Sequence, residues 1–208
     1  MKTIRIFGIR GLTLILGAAL GVSVGFTSPA FAQTFSPTAV IVNPDGKVTY
    51  LGTLDGGNTR ASGINDSGQV VGYSDTADGA FHAFITGPNG MGMTDLGTLR
   101  GEEVAYSKAT AINAAGQVVG TSEAADYPYR AFITGPNGMG MRDLGTTLGD
   151  SEVRADGINA AGQVVGTSGS FESTFRAFIT GPNGMGMRDL GTLGGGSSTA
   201  RGINDAGR

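Results

Sequence analysis

The run Ala-x-Gly-Ile-Asn occurs at Ala61–Asn65, Ala155–Asn159 and Ala200–Asn204, with a variant at Ala109–Asn113. Its isoleucines, Ile64, Ile112, Ile158 and Ile203, stand 48, 46 and 45 residues apart. Each of the first three copies is followed by Gly-Gln-Val-Val-Gly, at Gly68–Gly72, Gly116–Gly120 and Gly162–Gly166. Then comes Ala-Phe-Ile-Thr-Gly-Pro-Asn-Gly-Met-Gly-Met, from Ala83, Ala131 and Ala177, and Asp-Leu-Gly-Thr closes each unit from Asp95, Asp143 and Asp189. A period in the middle forties marks one supersecondary unit repeated in tandem, so the fold is read from the unit.

One unit holds four candidate strands. In the first full copy they are Ala61–Asn65 (a), Gln69–Tyr73 (b), His82–Thr86 (c) and Met91–Leu96 (d). Asn65-Asp66-Ser67-Gly68 reads as a turn in which Asn or Asp binds its own backbone and Gly takes positive φ. Gly87-Pro88-Asn89-Gly90 reads as a hairpin turn, since Pro presets φ and Asn-Gly tolerates left-handed backbone. Val70-Val71 and Ala83-Phe84-Ile85 are contiguous apolar runs, which place strands b and c in the middle of a layer covered on both faces. Strand a carries the small residues expected where sheets converge. The expected fold is therefore all-β, a series of tandem four-stranded antiparallel units arranged as a β-propeller, either incomplete or four-bladed. An open β-sheet stack is the alternative.

The ends extend the pattern. Residues 38–51 match the c–d half of a unit, followed by full units 52–96, 97–144 and 145–190 and a partial unit 191–208. The sequence stops at the point where another Gln-Val-Val-Gly is expected. That reads as a four-blade ring with a defective last blade or, as favoured here, the front of a longer array. Residues 1–32 are set apart as a secretory signal peptide. Lys2, Arg5 and Arg10 precede an apolar stretch, and Ala30-Phe31-Ala32 offers a cleavage site before Gln33. Residues 33–208 form the β-repeat domain. The apolar stretch is shorter than the ~20 residues of a spanning helix, so no stable membrane span is expected after cleavage.

With the leader removed, 11 basic and 17 acidic residues remain, a net charge near −6. Nucleic-acid binding needs a concentrated basic footprint, and this balance argues against it. The chain has no cysteine, so no disulfide staples an exported fold.

Gly-Ile-Asn-x-x-Gly-Gln-Val-Val-Gly, His82-Ala83-Phe84 and Asp-Leu-Gly-Thr-Leu-Gly-Gly together resemble the HAF-repeat family of extracellular bacterial repeat proteins. The later copies read Arg130-Ala131-Phe132 and Arg176-Ala177-Phe178, so histidine is not required in that column. The resemblance covers essentially the whole of residues 33–208. It implies an exported tandem-repeat protein and brings no catalytic residues with it.

Little in the sequence points to catalysis. His82 is the only histidine, and it reads as a strand-edge polar residue rather than a base. Asp95, Asp143 and Asp189 recur in every unit, which suits a repeated turn or strand-end hydrogen bond. Calcium-loop motifs are absent, so no metal and no cofactor are expected. The methionine pairs, such as Met91 and Met93, read as soft packing between repeats, each pair on one face of strand d.

The stronger lead comes from comparing units. The a–b and c–d turns are nearly constant, whereas the b–c connections Asp75–Phe81, Glu123–Tyr129 and Gly169–Phe175 differ. So do the d–a connections Asp55–Thr59, Arg100–Tyr106 and Gly149–Val153. In a meander both variable sets emerge on one edge, the usual place for binding. Candidate ligand-binding residues there are Tyr106, Tyr127, Glu102, Glu103, Glu123 and Asp126, with Asp150 and Glu172 beside them. Aromatics next to carboxylates suit a carbohydrate or a cationic ligand, while drift in unconstrained loops explains the same variation without a site. Phe81, Tyr129 and Phe175 share one column and are assigned to packing.

The expected function is a secreted, non-enzymatic binding or structural module with an extracellular ligand, carbohydrate or protein. The alternatives are a polysaccharide-acting enzyme using loop carboxylates and a truncated remnant of a longer repeat protein.

Overall fold

A computed structural model describes residues 5–7, 39–43, 46–102, 104–125, 129–146, 150–170 and 174–208. Three full sheets follow one another along the chain. The first contains β4 (Asp55–Ile64), β5 (Val70–Thr76), β6 (Phe81–Thr86) and β7 (Met93–Gly97), hydrogen-bonded in that order. The second contains β8 (Ser107–Ile112), β9 (Val118–Ser122), β10 (Arg130–Ile133) and β11 (Arg142–Asp143). The third contains β12 (Glu152–Ile158), β13 (Val164–Gly169), β14 (Arg176–Ile179) and β15 (Arg188–Gly191). Every pairing is antiparallel, so each unit is the expected meander.

Ahead of them, β2 (Val40–Val42) and β3 (Val48–Tyr50) form the expected half unit, and β1 (Arg5–Phe7) pairs with the free edge of β2. β1 falls inside the expected leader, whose removal after Ala32 would leave that edge of β2 open. The rest of the leader lies outside the described residues. Among the described residues no helix is long and apolar enough to cross a membrane.

The paired valines explain the stacking. Successive residues of a strand face opposite sides, so Val70, Val118 and Val164 turn toward the preceding sheet, and Val71 and Val119 toward the following one. One core gathers Ile41 and Leu51 of the half unit with Val70 and Phe84 of the first sheet. The next gathers Val71 and Ile85 with Val118 and Phe132, and the third gathers Val119, Ile133 and Leu144 with Val164 and Phe178. Phe84, Phe132 and Phe178 are fully buried. Each contributes about 1.5–3 kcal/mol from burial.

Strand a of each unit lies against strand b of its own sheet through a bulge, at Ala61/Gly63, Ala109/Ala111 and Ala155/Gly157. The approach is so close that a Cβ on Gly72 would sit 1.9 Å from the Arg60 carbonyl oxygen. That contact accounts for the glycine ending each Gln-Val-Val-Gly run.

Two sequence expectations are corrected. Strand d begins at Met93, not Met91, because the turn runs on through Gly92 with φ +64°. Only the second methionine of each pair packs: Met93, Met141 and Met187 join the cores, while Met91, Met139 and Met185 are exposed. The first d–a segment, Asp55–Thr59, is likewise not a loop. It extends β4, with Asp55 opposite Thr76.

Candidate functional site

The two edges of the stacked sheets are built differently. On the constant edge the a–b and c–d turns of one sheet bond to each other, with Gly90 N donating to Gly68 O at 2.9 Å, Gly138 N to Gly116 O at 3.0 Å and Gly184 N to Gly162 O at 2.8 Å. The asparagine of Gly-Ile-Asn then links neighbouring sheets. Asn65 Nδ2 donates to Gln69 Oε1 at 2.8 Å and to Asn113 O at 3.1 Å. Asn113 repeats this with Gln117 and Asn159, and Asn159 with Gln163 and Asn204. Asn65, Asn113 and Asn159 are buried, so each bond replaces lost hydration and the ladder is costly to break.

The repeated aspartates belong to the architecture. Asp95 Oδ1 accepts from Gly97 N at 2.7 Å, and Asp95 Oδ2 lies 2.8 Å from His82 Nδ1. Asp143 takes Gly145 N and Arg130 in the same way, and Asp189 takes Gly191 N and Arg176. The histidine column is therefore the cationic or donor partner of a strand-end aspartate, which is why arginine replaces it. The Gly191 amide and Arg176 hold the Asp189 carboxyl below its ordinary pKa.

The variable edge brings part of the candidate set together. Glu123 and Tyr106 face each other at the head of β8 and β9, where Glu123 N donates to Tyr106 O at 2.8 Å and Tyr106 N to Glu123 Oε2 at 3.3 Å. The Tyr106 ring sits 4.6 Å from that of Phe81 in the preceding sheet, and Phe81 is 5.3 Å from Tyr73. Lys108 Nζ lies over both Tyr73 and Phe81, at 5.0 and 4.7 Å from their centroids. Glu102 stands apart, exposed and paired with Arg100 at 2.9 Å. Glu103, Asp126 and Tyr127 lie outside the described residues, as does Glu172. Asp150 accepts a hydrogen bond from Ser168 at 2.6 Å.

Phe81 packs as assigned and Phe175 is half-buried against Gly169, but Tyr129 is 42% exposed. The second and third sheets meet here through different chemistry. Glu152 is 2% exposed, its Oε1 takes Arg154 Nε at 2.7 Å, and its Oε2 has no partner among the described residues. Four residues beyond Glu152, burial raises the pKa of Asp156 against the opposing pull of Arg201 and Arg154. Loop comparison counted Glu152 only as part of the connection Gly149–Val153, which the structure makes the start of β12, and it overlooked Lys108, Arg154 and Asp156 because they sit on strand a. The signal was present in its varying positions, Arg60/Lys108/Arg154 and Ser62/Thr110/Asp156. Among the described residues no cluster of three or more His, Asp or Glu is arranged to hold a metal ion.

Neither a protein-family model nor a curated protein matches the sequence. Solved structures do match in shape. A protein described as a putative TolB from Agrobacterium tumefaciens superposes with a TM-score of 0.56 at 13% identity, over 84% of this chain and 64% of that one. Dipeptidyl peptidase 4 from Porphyromonas gingivalis gives 0.55 at 15% identity, over 78% of this chain and 24% of that one. TolB from Acinetobacter baumannii gives 0.54 at 11% identity, over 80% and 41%. The chain thus spans less than two thirds of each. At such identities the likeness is one of fold, and it places the chain among β-propeller-like repeat proteins, with the sheets as blades.

Proposed function

We propose that this chain is a secreted, non-enzymatic binding module of the HAF-repeat type, which holds its blades together through the constant edge and presents the variable edge to an extracellular ligand. The observation that carries the proposal is Tyr106. Its backbone is tied to Glu123 and its ring lies on Phe81 of the preceding blade, beside Tyr73 and Lys108. A rigid aromatic surface flanked by one cation and one carboxylate suits the faces and hydroxyls of a carbohydrate. It also suits the side chains of an extended protein segment. Glu102, Glu123, Asp150 and Glu152 of this edge each accept a bond, from Arg100, a backbone amide, Ser168 and Arg154 respectively. That arrangement favours binding over acid–base turnover.

The test is a glycan-array and peptide screen of the exported full chain, followed by calorimetric titration of the best hit. Saturable binding without turnover is expected, lost in Tyr106→Ala while the protein stays folded. A ligand whose affinity ignores every variable-edge substitution, or product formation from a polysaccharide, would sink the proposal.

A further inference from the structure

The joint between the first and second full blades holds a second cation beside Lys108. Arg60 lies directly opposite Tyr73 in the register of β4 and β5, so both side chains project from the same face of the sheet. That face is turned to the second blade, since Lys108 Nζ lies 5.0 Å from the Tyr73 centroid. The same ammonium is 4.7 Å from the Phe81 centroid, and Tyr106 extends the aromatic surface beyond Phe81. The two strands a run side by side here, because a Cβ on Gly63 would lie 3.6 Å from Ala111 Cα. Arg60 and Lys108 each stand three residues before that contact. Two exposed cations from neighbouring blades therefore flank one tyrosine ring.

Neither cation has an acidic partner. Arg100, Arg130, Arg154 and Arg176 are paired with Glu102, Asp143, Glu152 and Asp189. Among the described residues no carboxylate bonds Arg60 or Lys108, although acidic residues outnumber basic ones by 17 to 14 in the chain. Two acids at the head of this joint are held by other groups. Asp75 accepts from Asn58 Nδ2, and Glu123 from the Tyr106 amide. An ammonium resting on ring faces is only partly satisfied, and an oxyanion beside it would complete its bonding.

The combination also occurs once. Thr121 stands opposite Lys108 in the second blade and Thr167 opposite Arg154 in the third, so neither has a ring at this place. Arg154 is moreover bonded to Glu152. Stacking of the repeats does not require a ring between two cations, which separates this feature from the architecture.

We propose that Arg60 and Lys108 form an anion subsite on the variable edge, and that its ligand is an acidic saccharide bearing a carboxylate or a sulfate. The inference rests on the binding function proposed above and names its ligand class. A guanidinium takes an oxyanion through parallel N–H bonds, and the ammonium adds a point charge. In a uronic acid or a sulfated sugar the anion is attached close to the ring. The C–H face of that ring can then lie on the aromatic surface while its charge meets the two cations. An acidic protein side chain carries its carboxylate on a flexible arm and offers the rings no such face.

Calorimetric titration of the exported full chain with polygalacturonate, its neutral methyl ester, dextran sulfate, dextran and polyglutamate tests it. Binding is expected to polygalacturonate or dextran sulfate, weakening as salt is raised, and the tighter of the two names the anion. Arg60→Gln and Lys108→Gln should each weaken it about tenfold or more, as loss of one charge-assisted contact implies. Arg188→Gln removes an exposed arginine of the third blade and should leave binding unchanged. Equal weakening by Arg188→Gln would reduce the effect to net charge and overturn the proposal. Equal affinity for the neutral polymers would overturn it too. Polyglutamate binding as tightly as the acidic glycans would assign the pair to an acidic protein segment instead. A glycan lost in Tyr106→Ala yet indifferent to both cation variants overturns the anion subsite and leaves the binding function standing. That function falls only if the wider glycan and peptide screen is empty as well.

Discussion

The two edges of the blades share strands yet differ in what their sequence must satisfy. On the constant edge the residues that recur from unit to unit reach into the neighbouring blade. Asn113 bonds to Asn159 O, Gln117 to Asn183, and Gly184 enters the cleft of Ile133 and Leu144. On the variable edge the joints change from one pair of blades to the next. Tyr106 on Phe81 serves the first pair of full blades, and Tyr129 with Glu152 the second. Repetition within the chain thus follows the bonds that each blade must make with its neighbour. Variation collects where those bonds are replaceable and where a ligand has room.

The difference can be broken most severely at the glycine of the Pro-Asn-Gly turn, which packs against the preceding blade. Gly138→Val asks a β-branched residue to adopt φ +75° while its side chain meets Ile85 and Leu96. A loss of about 3–5 kcal/mol is expected from backbone strain and overpacking together, visible as a large fall in chemical-denaturation midpoint. Next comes the ladder. Asn113→Ala removes the bonds to Gln117 and Asn159 O and leaves buried groups unpaired, a loss of about 2–3 kcal/mol by the same measurement.

The variable edge should respond less. Tyr106→Ala forfeits the ring contact with Phe81, about 1 kcal/mol of stability, while abolishing ligand binding. Glu102→Ala, which breaks only an exposed pair with Arg100, should change stability by less than about 0.5 kcal/mol.

The smallest effect concerns pH. Burial raises the pKa of Asp156, so the folded state holds that proton more tightly than the unfolded chain does. Its contribution is fully present below the unfolded value of 3.8 and is lost as pH rises through the raised folded value. Asp156→Asn should therefore raise the melting temperature slightly at neutral pH, with the gain disappearing in acid. A gain that persists in acid would contradict the desolvation reading.

Much of this was legible from the repeat. The half unit, the three meanders, the double-sided burial of strands b and c, and the structural use of Asp95, Asp143 and Asp189 all follow from residues within one unit. The asparagine of Gly-Ile-Asn was read only as a turn residue, because its bond to the next blade spans 48 residues and depends on how sheets stack. Which methionine packs was hidden for a similar reason. Alternation assigns Met91 and Met93 to one face, but Gly92 bends the chain before the strand begins. At the candidate site, the loop comparison found Tyr106 and Glu123. It passed over Lys108, whose variation is embedded in an otherwise regular strand, and did not single out Glu152 within Gly149–Val153, where the strand begins earlier than the repeat suggests.

Amide hydrogen exchange across the two edges tests the division between them most directly. The amides of Gly90, Gly138 and Gly184, bonded to Gly68, Gly116 and Gly162, should exchange near the rate of global unfolding. Those of Ala77, Asp78, Ala124 and Ala125 on the variable edge should exchange within seconds. Equal protection on both edges, or faster exchange in the Pro-Asn-Gly turns, would contradict the view that one edge holds the blades together and leaves the other free to bind.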